Sequence, residues 1–410
     1  MLYAQLYEAG SEALAGDKPL RNFGSLLLRK LHHTSTTACL LPGDSEYSCS
    51  AHQCTFESAA DNVIHQIGTQ GTPLHVHDSH VEQNQAFPYY IVMPDKPGKA
   101  RRVIFLFHGF NEKSWDKYLP WAYALSRSTG AAVVLFPIAF HMNRAPAEWS
   151  EKRAMFELSR QRRKQFPEVC GSSLSNVAIS MRLHALPQRF VWSGLQSFYD
   201  VVDFIGACKA GTHPYIHPDF AYDIFAYSIG GMLAQILKMA NPKNFFTHSK
   251  VALFCSGAVF NRLSPVSKFI LDSEANVALY AFLVEHLDYH RKTDPRLAHY
   301  LSPLHPEGHV LHTMLSYQKM RGEREELLRQ VASDIYAVGL KKDTVIPTFE
   351  MMNTLQGAFR DIPIPVDQLE FDYPYTHENP FPLAGVDGHT VDAAFVETFD
   401  KLGRFLSNGQ

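Results

Sequence analysis

Residues 103–110 read VIFLFHGF, and the fold follows from how that run is taken. Five consecutive large apolar side chains leave no polar face. A strand of this kind is buried on both sides, as in a parallel sheet covered by helices above and below. The run stops at His108-Gly109-Phe110. Residues 114–128 then carry apolar positions at helical spacing, with Ser114 as the expected N-cap and Gly130 as the stop. Residues 131–138 (AAVVLFPI) form a second buried run. Buried strand, helix and buried strand in succession make the unit of a parallel α/β sheet.

The rhythm continues downstream. A helix is expected over 195–208, a strand over 222–227, and a helix over 229–240 closed by Asn241-Pro242. Strands follow at 251–255 and 335–339, a helix at 347–355, a strand at 369–373 and a last helix at 391–406. Upstream, 87–93 (FPYYIVM) is aromatic and β-branched and ends at Pro94, while 73–80 alternates like a strand. Residues 1–70 open helically and then lose any period. The expected fold class is therefore α/β, a doubly wound, mostly parallel sheet over 72–410, with residues 1–71 as an N-terminal extension. Two stretches break the rhythm, the Arg/Lys-rich 144–193 and the mostly helical 262–332. Both fall between core strands, at the carboxyl edge where such sheets bind ligands, and are expected to be cap insertions.

Composition narrows the function classes. The 410 residues are 46% apolar and 19% charged, ordinary for a chain with a sizeable core. A formal net charge of −3 gives no basic footprint, so nucleic acid is not an expected partner. No run approaches the ~20 apolar residues of a membrane span. The opening MLYAQLYEAGSEALAGDKPL has no basic segment followed by an apolar one, so a cytoplasmic location is expected. Cys39, Cys49, Cys54, Cys170, Cys208 and Cys255 have no framework spacing and are expected as reduced thiols. Cys49 and Cys54 flank His52, but this spacing lacks a second ligand pair for a zinc pattern, and no metal is expected.

The chemistry is carried by residues 222–232, YDIFAYSIGGM. A strand runs into Ala226-Tyr227-Ser228-Ile229-Gly230, and a helix begins at once. A turn this tight needs small residues two positions either side of the serine, and it lifts the hydroxyl above the sheet near a helix N-terminus. A serine is a weak nucleophile unless a histidine takes its proton and an acid orients that histidine. Asp343 lies just past the strand DIYAVGL, in KKDTVIP. Two histidines follow the last strand, His377 in YTHENP and His389 in DGH. The first is preferred because a loop histidine near the strand end reaches back over the sheet. The oxyanion needs backbone donors, and the N–H groups of Phe110 and Ile229 are the expected pair.

In this ordered set the chain resembles the α/β-hydrolase superfamily, over about residues 74–407. The matching pieces are the strand ending in HGF, the serine elbow with Ala226 in place of the first glycine, the acid in KKDTVIP and the histidine after the final strand. The resemblance implies Ser228, Asp343 and His377 as catalytic residues, and is strongest to branches with large insertions. It implies a small-molecule acyl substrate and no cofactor. Esterase activity is the leading expectation. An acyltransferase on the same machinery, or a non-catalytic binding protein on the same fold, are the alternatives.

Further residues are candidates for the substrate pocket. His108 and Tyr227 adjoin the donor loop and the elbow, with His108 read as a structural histidine. His141 and Arg144, in FHMNRAPAEW, follow a core strand, and the Arg144 fork suits a substrate carboxylate. In LHVHDSH, His75 and His77 share one face of the expected strand, which is read as solvated rather than metal-binding. The basic run 160–164 is read as a solvated helix face. Substrate identity and oligomeric state are open at this point.

Overall fold

In the strand Ala100–Phe107 the side chains divide between two cores: Val103, Phe105 and Phe107 enter one, Ile104 and Leu106 the other, all five fully buried. That division is the doubly wound layering in miniature. The computed structural model describes residues 2–16, 18–57 and 69–407. Its strands are β1 (Leu20–Phe23), β2 (Leu26–Thr34), β3 (Glu46–Cys49), β4 (Cys54–Glu57), β5 (Ala86–Pro94), β6 (Ala100–Phe107), β7 (Ala132–Leu135), β8 (Ile216–Tyr227), β9 (Val251–Phe254), β10 (Ile335–Leu340) and β11 (Val366–Leu369). Nine of them form one sheet in the order β1-β2-β5-β7-β6-β8-β9-β10-β11, while β3 and β4 pair separately. From β7 to β11 every pairing is parallel, whereas β1, β2, β5 and β7 pair antiparallel. The core at Phe105 is covered by the helices Arg189–Lys209 and Gly230–Ala240, and the core at Ile104 by Tyr3–Ala15, Tyr118–Thr129 and Gly388–Ser407. The chain has the α/β-hydrolase fold that the resemblance implied.

Several elements differ from the sequence expectation. The sheet begins at residue 20, well before residue 72: β2 pairs with β5 over nine positions, from Leu26 with Pro94 to Thr34 with Ala86. Its sequence, LLLRKLHHT, is buried at one end and half-exposed at the other, so no single period marks it. Residues 73–80 are not a strand. They turn into a short 3₁₀ segment, Asp78–His80, whose buried Asp78 carboxylate accepts from Arg182 at 2.7 Å and Arg189 at 2.8 Å. The alternation there reflects Leu74 and Val76 packing on a small apolar cluster around Trp149 and Met155 rather than a sheet face. The helix expected from Ser114 starts at Tyr118, and the Ser114 hydroxyl bonds to Asp116 instead of capping it. Gly130 does end it, at φ 69°. The last strand is Val366–Leu369, not 369–373. Phe371 and Tyr373 leave the ladder and stack in the core with ring centroids 5.3 Å apart.

The two rhythm-breaking stretches are helical and interlocked. The first carries Lys152–Gln165 and Val177–Ala185, the second a series from Ser273–Tyr280 to Arg321–Gln330. Between them, Arg162 Nη2 donates to Asp272 at 2.8 Å, the Asp272 N–H donates to Ser180 Oγ at 3.1 Å, and Asn176 Nδ2 donates to the Ser267 carbonyl at 2.7 Å. The 160–164 run is therefore not wholly solvated, because Arg162 turns inward and is buried. Among the described residues no helix is long and apolar enough to cross a membrane.

Candidate active site

Ser228 sits on the turn between β8 and the helix Gly230–Ala240 with φ 55°, a left-handed conformation that serine rarely adopts. The turn is this sharp because its neighbours are small. A Cβ on Gly230 would lie 2.7 Å from the His108 carbonyl oxygen, and one on Gly231 would overlap Ser256 Oγ. Ser256 Oγ in turn donates to the Ser228 carbonyl at 2.5 Å, closing the elbow from below. Left-handed non-glycine residues follow each of four adjacent strands: Asn111 after β6 (φ 57°), Phe140 after β7 (62°), Ser228 after β8 and Cys255 after β9 (47°). Strain of this kind collects where a site is held against backbone preference.

Three side chains meet over that edge in one hydrogen-bonded line. His377 Nε2 is 2.7 Å from Ser228 Oγ, and His377 Nδ1 is 2.7 Å from Asp343 Oδ2. An ionised carboxylate only accepts, so Nδ1 carries the proton and Nε2 presents its lone pair to the serine hydroxyl. Asp343 Oδ1 is occupied by the Val345 and Ile346 N–H groups, each at 2.9 Å, which fixes the carboxylate. The His377 ring lies nearly parallel to Tyr227, centroids 5.2 Å apart, and its carbonyl accepts from the Tyr227 hydroxyl. All three members are buried, with Ser228 7% exposed. His389 is exposed at the start of the last helix and has no bond to the serine.

The loop after β6 packs directly on the elbow. A Cβ on Gly109 would lie 3.1 Å from the Tyr227 ring and 3.3 Å from Ser228 Cβ. Tyr118 Oη accepts from the Gly109 N–H and donates to Glu112, both at 2.9 Å. Asn111 Nδ2 donates to the carbonyls of Ser175 (3.1 Å) and Phe269 (2.5 Å), one in each helical insertion. Phe110, Ser228 and Ile229 line a small, almost wholly apolar cavity with Phe190, Leu279 and Ile346. A second apolar cavity shares Phe110, Phe190 and Ile229 and reaches His141.

The other pocket candidates separate. His141 lines the second cavity; its Nδ1 bonds the Ala139 carbonyl at 2.8 Å, and its buried Nε2 has no hydrogen-bond partner. Burial pushes its pKa down to about 4. His108 is not a pocket residue. Its Nδ1 bonds Gly109 O at 2.8 Å, its Nε2 accepts from the Ile138 N–H at 2.9 Å, and burial holds it well below the usual histidine range. Tyr227 lies beneath the His377 ring rather than in the pocket. Arg144 is not free to bind a carboxylate, because it is fully buried and donates to Asp200 at 2.7 Å and Asn84 Oδ1 at 2.9 Å. Sequence reading missed Tyr118, Asn111 and Cys255. Only Asn111 left a signal, an asparagine after Gly-Phe where a left-handed turn residue belongs.

Comparison with known proteins gives one family match. The model described as "Family of unknown function (DUF6051)" matches residues 1–407. No curated protein matches. Similar solved structures include carboxyl esterase 2 from the mycorrhizal fungus Tuber melanosporum, at 12% identity and TM-score 0.42, covering 78% of this chain and 82% of that one. An S-formylglutathione hydrolase from Agrobacterium tumefaciens is 12% identical with TM-score 0.44, covering 94% and 98%. Prolyl oligopeptidase B from Galerina marginata is 12% identical with TM-score 0.39, covering 94% of this chain and 37% of that one.

Proposed function

We propose that this chain, which belongs to the DUF6051 family of unknown function, is a serine hydrolase cleaving a carboxylic ester or related acyl bond through an acyl-enzyme. One observation carries the reading: the unbroken line from Asp343 through His377 to Ser228, with both contacts at 2.7 Å. Ser228 Oγ attacks the acyl carbonyl while His377 Nε2 takes the hydroxyl proton. The Phe110 and Ile229 N–H groups hold the tetrahedral oxyanion. Collapse breaks the bond to the leaving group, which leaves with the proton from His377. Water, deprotonated by the same nitrogen, then releases the acid. Asp343 keeps the imidazole in the required tautomer throughout.

The apolar lining beside Ser228 suits a hydrocarbon acyl group, and the bare Nε2 of His141 suits a hydroxyl or N–H on the substrate. The insertions 144–193 and 262–332 act as the cap, joined to the donor loop through Asn111. The test is labelling with a fluorophosphonate probe, read by intact mass. Wild type and His389→Ala should gain one adduct, and Ser228→Ala and His377→Ala none. A folded wild type that takes no adduct overturns the reading and favours a binding protein on this fold.

A further inference from the structure

Apart from the residues around Ser228, the hairpin β3–β4 meets the helices Pro295–Tyr300 and Pro306–Thr313 through a cluster of histidine and cysteine side chains. Cys49 and Cys54 are paired across the hairpin, and His52 sits on its tip. From the helical insertion come His299 and His305. The donor atoms of Cys49, His52, His299 and His305 all lie within 4.8 Å of one another. Cys49 Sγ is 3.5 Å from His52 Nδ1 and 3.4 Å from His305 Nε2, and the Nε2 atoms of His299 and His305 are 3.1 Å apart.

These three separations are close to the edges of a coordination tetrahedron. With Zn–N of about 2.0–2.1 Å and Zn–S of about 2.3 Å, tetrahedral ligands stand ~3.3 Å apart for two nitrogens and ~3.6 Å for nitrogen and sulfur. Hydrogen bonding alone accounts poorly for the arrangement. His305 Nδ1 bonds Glu307 Oε1 at 2.9 Å, which leaves His305 Nε2 with one lone pair. Both His299 Nε2 and Cys49 Sγ point at it, and one lone pair cannot serve two donors well. A cation at the centre receives a lone pair from each of the four. The Glu307 contact, itself supported by the Tyr199 hydroxyl, is the carboxylate–histidine arrangement that orients a metal ligand and raises its basicity.

We propose that Cys49, His52, His299 and His305 bind a zinc ion that pins the β3–β4 hairpin to the helical insertion. Thiolate with imidazole selects a borderline-soft divalent ion over magnesium or calcium. Four protein ligands leave no open position, which makes the site structural rather than catalytic. Cys49 and His305 are buried, and His52 on the hairpin tip is exposed. Cys54 Sγ, 3.6 Å from His299 Nε2, stands just outside the four.

The test uses the tag-free full chain under a phosphine reductant. Metal content is measured by mass spectrometry as purified, after chelation and after reloading with zinc, and the stripped chain is titrated with cobalt(II). One equivalent per chain is expected, with an intense tetrahedral d–d spectrum and a thiolate-to-cobalt band, both lost in Cys49→Ser and in His299→Ala/His305→Ala. Stripping should lower the melting temperature and zinc should restore it. A folded, stripped wild type that takes up neither metal stoichiometrically overturns the proposal without any variant. So does cobalt uptake that is unchanged by Cys49→Ser.

Discussion

Two clusters of chemistry-bearing side chains sit in this molecule, and they are built in opposite ways. Ser228, Asp343 and His377 each follow a strand in the parallel part of one sheet, so the sheet delivers them to a common edge once it forms. Cys49, His52, His299 and His305 come from a small hairpin and an irregular helical insertion, and they meet only after those parts have docked. Regular structure makes the first cluster a matter of chain order. The second is a matter of tertiary packing over some 250 residues of separation, where spacing along the sequence says nothing.

The largest effect expected from breaking this contrast is at the first cluster. Ser228→Ala should abolish fluorophosphonate labelling and lower any ester hydrolysis by roughly 10⁴-fold or more, while the melting temperature changes little. Zinc removal should do the reverse. Labelling per folded molecule is unchanged, and stability falls by about 4 kcal/mol at a metal concentration a thousandfold above the dissociation constant, read by denaturant unfolding with and without chelator.

Smaller effects sharpen the comparison. Gly230→Ala puts a methyl group 2.7 Å from the His108 carbonyl and 2.8 Å from that of Phe107, both rigid backbone. It should cost about 1–3 kcal/mol and slow labelling at least tenfold, which probe kinetics and thermal melting separate. Acid should act through buried histidines, among them two beside the Ser228 site. Burial lowers the pKa of His141 to about 4 and holds that of His108 well below the ordinary value near 6.5. The unfolded chain therefore binds protons that the folded one refuses. The stability these residues contribute is full above pH 6.5 and is lost as the pH falls toward 4. His141→Phe should flatten that part of the pH–stability curve, measured by denaturant midpoints. The smallest effect is at His389, whose change to alanine should alter neither labelling nor stability by more than about 0.5 kcal/mol.

How much was legible follows from the same contrast. Continuous apolar runs such as VIFLF announce strands covered on both faces, and the strand–serine–helix junction at 222–232 announces its own turn. Strand order then gave Asp343 and His377 their neighbours. Residues 20–34 were not legible, because β2 is buried at one end and half-solvated at the other, which erases any single period. Arg144 was expected to hold a substrate carboxylate, and the segments that carry Arg162 and Asp78 were expected to be solvated, yet each of the three is buried against an opposite charge of the chain itself. Such pairs are invisible until the partner segments are brought together. His299 and His305 were missed on the same account.

The left-handed residues at the carboxyl edge have a consequence for engineering and for drift. Each of Phe140, Ser228 and Cys255 costs on the order of 1–3 kcal/mol relative to relaxed backbone. A population selected only for heat resistance would replace them with glycine or asparagine, which hold the same left-handed turn at lower cost and, at position 228, remove the hydroxyl. The same replacements are the first a descendant would accept once its chemistry no longer mattered. On the proposed function, the rim of the sheet is thus a place where thermal robustness and reactivity compete for the same positions.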